Sequence, residues 1–217
     1  QNGDVIMLTG NVTFDTTDRS FNSGSYYDGV LYTGGASFTI NLGGFTITSD
    51  GTAVNDYLLN IANKTTATAN TITIKNGTLT AVSGVYSALC VGSSTATAPT
   101  TVNTENLTIN GVHPEGAVVK IRGGSTWNAN AGTIVNSNGA YTALECSAAT
   151  ANINAGAKLN QTNSSADPSV GSAIGVSGGG VVNGSSAQEE CICRCTTLYP
   201  CLNTDEMWNE FYKPHRK

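Results

Sequence analysis

Lys120 and Arg122 stand two apart in the run Ala117-Val118-Val119-Lys120-Ile121-Arg122, so an extended strand carries both side chains on one face. Glu145 holds the matching place in a later run, Tyr141-Thr142-Ala143-Leu144-Glu145-Cys146, and comes to lie beside Lys120 if the two runs stack. His113 and Glu115 fall in the loop just before the first of these strands. Two cations with carboxylates and an imidazole nearby can grip a sugar or a ligand's own carboxylate. Tyr26, Tyr27 and Trp127, read as facing outward, can stack on sugar rings. The simpler reading makes Lys120 and Glu145 a cross-strand ion pair, worth about 0.2 to 1 kcal/mol. The sequence favours that reading and assigns no catalytic residue, because nothing sets a second carboxylate where glycoside hydrolysis needs one.

The other reactive side chains are cysteines, and they divide into two groups. Cys90 and Cys146 lie in the body of the chain, in the same inward column but two repeats apart. At the strand spacing that is about 9.6 Å, and a disulfide fails beyond about 7 Å between Cα atoms. Two free buried thiols, packing as small hydrophobes, are expected. Cys191, Cys193, Cys195 and Cys201 crowd the end of the chain. Two disulfides among these four is the leading reading in an exported protein, with three possible pairings left open. A zinc site fits less well, since the spacing is Cys-x-Cys-x-Cys and His215 is distant. A third possibility is that the tail is foreign to the body, through a change of reading frame. No metal and no cofactor are expected.

Strands must position these groups. Ser37 to Thr48 alternates Phe38, Ile40 and Leu42 with Thr39 and Asn41, turns at Gly43-Gly44, and alternates again through Phe45, Thr46, Ile47 and Thr48. Weaker copies follow at Thr71-Ile74, Asn106-Ile109, Gly132-Val135 and Ala157-Leu159. A second series runs through Tyr57-Ile61, Tyr86-Cys90, Ala117-Ile121, Tyr141-Cys146 and Ser172-Val176. Members of each series recur roughly 24 to 31 residues apart, the spacing of a stacked repeat. No helical period separates them, so the expected fold is all-β: a right-handed parallel β-helix, a β-solenoid, over residues 1–184. In the second series Leu59 and Ile61, Ala88 and Cys90, Val119 and Ile121, Leu144 and Cys146, and Ile174 and Val176 are assigned inward. Asn60, Leu89, Lys120, Glu145 and Gly175 are assigned outward. In the first series Lys158 forces one slip. Asn110, Asn136 and Asn160 recur at matching places and either form an asparagine ladder or simply sit in turns.

After Gly184 charge becomes dense and glycine disappears, which marks a second segment, 185–217. Asn203 as N-cap, Glu206 three residues later, and Leu202 against Met207 predict a short amphipathic helix near 203–212, stopped by Pro214. It is expected to cap the open end of the solenoid.

Asn41-Leu42-Gly43-Gly44-Phe45-Thr46-Ile47 resembles the Asp-Leu-Asn-Gly-x-Thr-Ile corner of pectin-lyase-like right-handed β-helix proteins, as found in bacterial surface proteins, adhesins and phage spikes. Gly3-Asp4-Val5-Ile6-Met7-Leu8 is similar to their opening coil. Asn41 and Gly43 depart from the usual Asp and Asn, and no capping helix precedes the opening run. With Gln1 in place of Met, that predicts a processed or excised segment. A chain of 217 residues with net charge −5 has no basic stripe for nucleic acid. It also has no apolar run long enough to span a membrane. Asn-x-Ser/Thr triplets such as Asn63 and Asn106 carry little weight in so Asn- and Thr-rich a chain. The expected function is structural and non-enzymatic: an extracellular or cell-surface stalk, adhesin, or filament or spike subunit. Its partners are other copies of itself, a cell surface or a polysaccharide. The alternative is a carbohydrate-active β-helix protein, with Lys120, Arg122, Glu145, His113, Glu115 and Trp127 at its sugar site.

Overall fold

A computed structural model describes residues 1–14, 30–32, 34–49, 56–64, 67–82, 84–94, 98–161 and 173–185. The first pass of the chain lays down β1 (Val5–Met7), β2 (Val12–Phe14) and β3 (Val30–Tyr32). The second lays down β4 (Phe38–Asn41), β5 (Thr46–Ser49) and β6 (Asp56–Ile61). Long strands then replace the first two members, giving β7 (Asn70–Thr80) with β8 (Val85–Val91), and β9 (Thr100–Gly111) with β10 (Ala117–Arg122). Next come β11 (Thr126–Ala129), β12 (Ile134–Ser137) and β13 (Thr142–Ser147), then β14 (Thr150–Ile153), β15 (Lys158–Gln161) and β16 (Ile174–Ser177), and finally β17 (Val181–Gly184).

The strands form two parallel sheets. One runs β1-β4-β7-β9-β11-β14-β17, with a second arm β2-β5-β7-β9-β12-β15 sharing β7 and β9, and the other runs β3-β6-β8-β10-β13-β16. The described residues are therefore all-β and contain no helix. The helix and cap expected near 203–212, and the tail cysteines, lie outside them.

Alternation explains the core. Phe38, Ile72, Val102, Trp127, Ala151 and Val182 form one registered row of the first arm. Their chain neighbours Thr73, Asn103, Asn128 and Asn152 form the row on the opposite face. Leu79, Ile109 and Val135 do the same for the second arm and are fully buried. In the second sheet Leu59, Leu89, Val119 and Leu144 form one buried row, and Ile61, Val91, Ile121 and Cys146 the next. Parallel strands covered on both faces suit such apolar runs.

The corner between the two arms needs left-handed backbone. Gly43 and Gly44 supply it at φ 61° and 89°, and Gly132 and Gly156 repeat it at 76° and 83°. In the long strands Asn76 and Asn106 take the same conformation at φ 60° and 46°, the non-glycine residue type that tolerates it best. The layers are knit further by side-chain amides. Asn160 donates to Asn136 at 2.8 Å and Asn136 to Asn110 at 2.9 Å, so these three form a ladder within strands rather than occupying turns. A second ladder joins Asn183, Asn152, Asn128 and Asn103 at 2.7 to 2.8 Å.

Two expected registers are corrected. Thr71–Ile74 belongs to the first arm, whereas Leu107–Ile109, Ile134–Val135 and Lys158–Leu159 belong to the second, where Gly77-Thr78-Leu79 is their true counterpart. With that pairing Lys158 needs no slip, since it follows Thr108 and Ile134 in one row. In β8 the expected faces are reversed: Leu89 joins the Leu59 row, and Cys90 pairs with Asn60 and Lys120. Cys90 and Cys146 thus occupy neighbouring rows rather than a shared column.

Candidate functional site

The second sheet brings together the row Asn60, Cys90, Lys120, Glu145, Gly175. Direct pairing of Lys120 with Glu145 in β10 and β13 brings the ammonium to 3.0 Å from both carboxylate oxygens. Their side chains are 16% and 31% exposed, so the pair is partly desolvated and still reachable. Gly175 follows Glu145 in β16 and leaves that side of the carboxylate free of a side chain.

Aromatic rings frame this pair. Lys120 Nζ lies 5.6 Å from the Tyr86 ring centroid, and Arg122 Cζ lies 5.3 Å from that of Tyr57, both within cation–π range. The His113 and Tyr86 rings are 5.0 Å apart and tilted by 40°. His113 is held in place by its loop: its carbonyl accepts from Gly116 N and Tyr141 N, and its Nδ1 accepts from Glu115 N. Gly116 is obligatory there, because a Cβ at that position would run into the Tyr86 carbonyl oxygen. Burial pushes the Cys90 thiol up from its ordinary pKa, against the opposing pull of the Arg122 and Lys120 charges. Asn60 Oδ1 is buried beside Cys90 with no hydrogen-bond partner.

Of the residues singled out in the sequence, Lys120, Arg122, Glu145 and His113 come together on this sheet. Glu115 is exposed and contributes its backbone N–H. Trp127 is a correction. It occupies the inward row between Val102 and Ala151, is fully buried, and donates Nε1–H to Thr104 Oγ1 at 3.1 Å, so no sugar can stack on it. The small side chain of Ala151 makes room for it, and Thr126 and Asn128 take the opposite face. Cys90 and Cys146 are both buried and unbridged. Tyr26, Tyr27 and the tail cysteines fall outside the described residues. Among the described residues no group of three His, Cys, Asp or Glu side chains could hold a metal.

The sequence reading passed over Tyr57 and Tyr86. Their signal was present: Tyr57, Tyr86 and Tyr141 each open a run of the second series.

Comparison with known proteins overturns the functional expectation. Residues 60–217 match the family described as microbial-type PARG, catalytic domain. No curated protein and no solved structure matches the chain. The matched family is an enzyme's catalytic domain, so the resemblance to pectin-lyase-like repeat proteins is corrected, and with it the reading as an adhesin, stalk, filament or other structural subunit. The described part of the matched span, to residue 185, is built of the parallel sheets above, and the match continues through the tail. Covered over most of its length, the chain belongs to the family of microbial-type PARG catalytic domains.

Proposed function

We propose that the chain is a poly(ADP-ribose) glycohydrolase, which cleaves the glycosidic bonds between ADP-ribose units. The observation that carries this reading is the family match over residues 60–217. Glycoside hydrolysis ordinarily takes two carboxyl groups, one protonated to release the leaving oxygen and one ionised to activate water or stabilise the cationic sugar. Glu145 is committed to Lys120, while Glu105 and Glu115 are isolated and exposed. Asp167, Asp205, Glu206 and Glu210 of the matched span lie outside the described residues. Glu189 and Glu190 stand side by side within the matched span, outside the described residues, and two carboxyl groups are what the reaction takes. We assign them the hydrolytic role.

We also propose that the two sheets are faces of one right-handed parallel β-helix, whose passes each visit the first arm, the second arm and the second sheet. The uniform parallel pairing and the recurring layer spacing support this.

Incubating the full chain with poly(ADP-ribose) and separating released ADP-ribose by chromatography tests the activity. The expected result is release by the wild type, reduced about 10²- to 10⁴-fold in Glu189→Gln or Glu190→Gln. Release no greater than in the protein-free control would overturn the glycohydrolase reading. Release undiminished in both variants would remove these two residues from it.

A further inference from the structure

Five asparagines of the chain are followed by glycine: Asn2, Asn76, Asn110, Asn138 and Asn183. With no Cβ in the way, the nitrogen of such a glycine can reach the carbonyl carbon of the preceding side chain. Four of the five are held away from that approach by their partners. Asn2 Oδ1 accepts from Ser37 N at 2.8 Å, and Gly3 N donates to Ser37 O at 2.7 Å. Asn76 Nδ2 donates to Asn41 Oδ1, Asn110 is bonded to both Thr80 and Asn136, and Asn183 Nδ2 donates to Asn152 Oδ1. The glycines that follow these three lie inside β7, β9 and β17. Asn138 differs on each count. It is exposed in the bend after β12, and neither its side-chain amide nor the Gly139 N–H makes a hydrogen bond among the described residues. Gly139 has φ 96°, and a Cβ there would meet nothing within 4 Å, so the space around its nitrogen is open.

We propose that Asn138 is a site of spontaneous deamidation. The Gly139 backbone nitrogen gives up its proton and attacks Asn138 Cγ. The N–Cγ bond forms, the Cγ–Nδ2 bond breaks, and Nδ2 leaves as ammonia with that proton, so that a cyclic imide remains. Solvent water then opens the imide. Breaking the new N–Cγ bond gives aspartate, and breaking the original peptide bond gives isoaspartate, whose backbone runs through the side chain. Nothing is oxidised or reduced: amide and water become acid and ammonia. Either product adds a negative charge to the link Asn138-Gly139-Ala140 between β12 and β13, and isoaspartate lengthens that link by a methylene. Ser137 Oγ and Gln161 Nε2 both donate to the Ala140 carbonyl there, at 3.0 and 3.2 Å, and β13 carries Glu145. The modification therefore falls at the entry to the strand that pairs Glu145 with Lys120.

Peptide mapping by mass spectrometry tests the site, after incubation of the full chain at mildly alkaline pH both folded and in urea. In the folded chain the amide-to-acid mass change should build up at Asn138 at least about fivefold faster than at Asn2, Asn76, Asn110 or Asn183, since each of those must first lose a hydrogen bond or open locally. In urea the five rates should converge, because the following glycine is common to all. Asn152→Ala, which removes the acceptor of Asn183, should raise the Asn183 rate toward that of Asn138, with folding checked by circular dichroism. Asn138 no faster than the other four in the folded chain would overturn the proposal. The same ranking persisting in urea would overturn it too, by tracing the preference to sequence rather than to the bend after β12. An Asn183 rate unmoved in folded Asn152→Ala would overturn hydrogen bonding as what sets Asn138 apart.

Discussion

Asn128 shows how single residues hold the layers together: its amide donates to Asn103 and accepts from Asn152, both at 2.7 Å. Each net hydrogen bond is worth about 0.5 to 1.5 kcal/mol. Asn128→Ala should therefore cost about 1 to 3 kcal/mol, and Asn183→Ala, which ends the ladder with a single exposed bond, less than about 1.5 kcal/mol. Urea midpoints distinguish the two, and equal costs would mean that the ladder contributes little. The buried thiols act in the opposite sense to a surface charge. Burial raises the pKa of Cys90 and of Cys146, so the folded state keeps both protons where an unfolded thiol, of pKa about 8.5, begins to lose them. Their contribution is complete below that value and is lost as pH rises toward the folded pKa. Unfolding free energy should fall on going from pH 8 to about pH 10, and the double variant Cys90→Ala, Cys146→Ala should flatten that decline; an unchanged slope would count against these thiols as its source.

Between residue and fold, the connections decide where strands meet. Gly92 ends β8 at φ 82°, and a Cβ there would collide with the Arg122 carbonyl oxygen and with Ser125, so the β8–β10 pairing beneath the candidate site depends on it. Gly124 shares the left-handed conformation at φ 71° but would meet nothing within 4 Å. Gly124→Ala should thus cost only the left-handed penalty, about 1 to 2 kcal/mol. Gly92→Ala should cost about 2 to 4 kcal/mol and lower the thermal midpoint further; matching losses would show that the collision relaxes without consequence. The same scale shows what could be read in advance. The Lys120–Glu145 pairing was legible because the second halves of β10 and β13, Val119-Lys120-Ile121-Arg122 and Leu144-Glu145-Cys146-Ser147, alternate between apolar and polar residues, which fixes register. β8 was misread by one position because Ala88, Leu89, Cys90 and Val91 are all fully buried, leaving no alternation to choose a face. The first arm was merged with the second because both read Thr-apolar-Thr, and because β7 and β9 pass through the corner at Asn76 and Asn106 without a glycine in that place. Trp127 was assigned by its residue type, whereas its neighbours Thr126 and Asn128 identify it as inward.

For the molecule as a whole, strand grammar and family identity are different kinds of signal. Alternation from Ser37 onward announced parallel β structure, but that pattern serves many activities and names none. The family match runs over residues 60–217, through most of the strands as well as the tail. Parallel stacking also predicts how the protein opens. Among the described residues each strand pairs only with the layers directly before and after it, so the terminal layers have one partner and the middle layers two. At the ends Val5, Met7 and Val176 are 58%, 59% and 53% exposed, whereas Val119, Ile121 and Leu144 in the middle are fully buried. Amide hydrogen exchange should accordingly be slowest in β9 and β10 and faster by about a hundredfold or more in β1, β16 and β17. Uniform protection from β1 to β17 would mean instead that the layers open as one unit. Under the graded outcome the Lys120–Glu145 pair, seated on β10 and β13, keeps its geometry at denaturant concentrations that already expose β1.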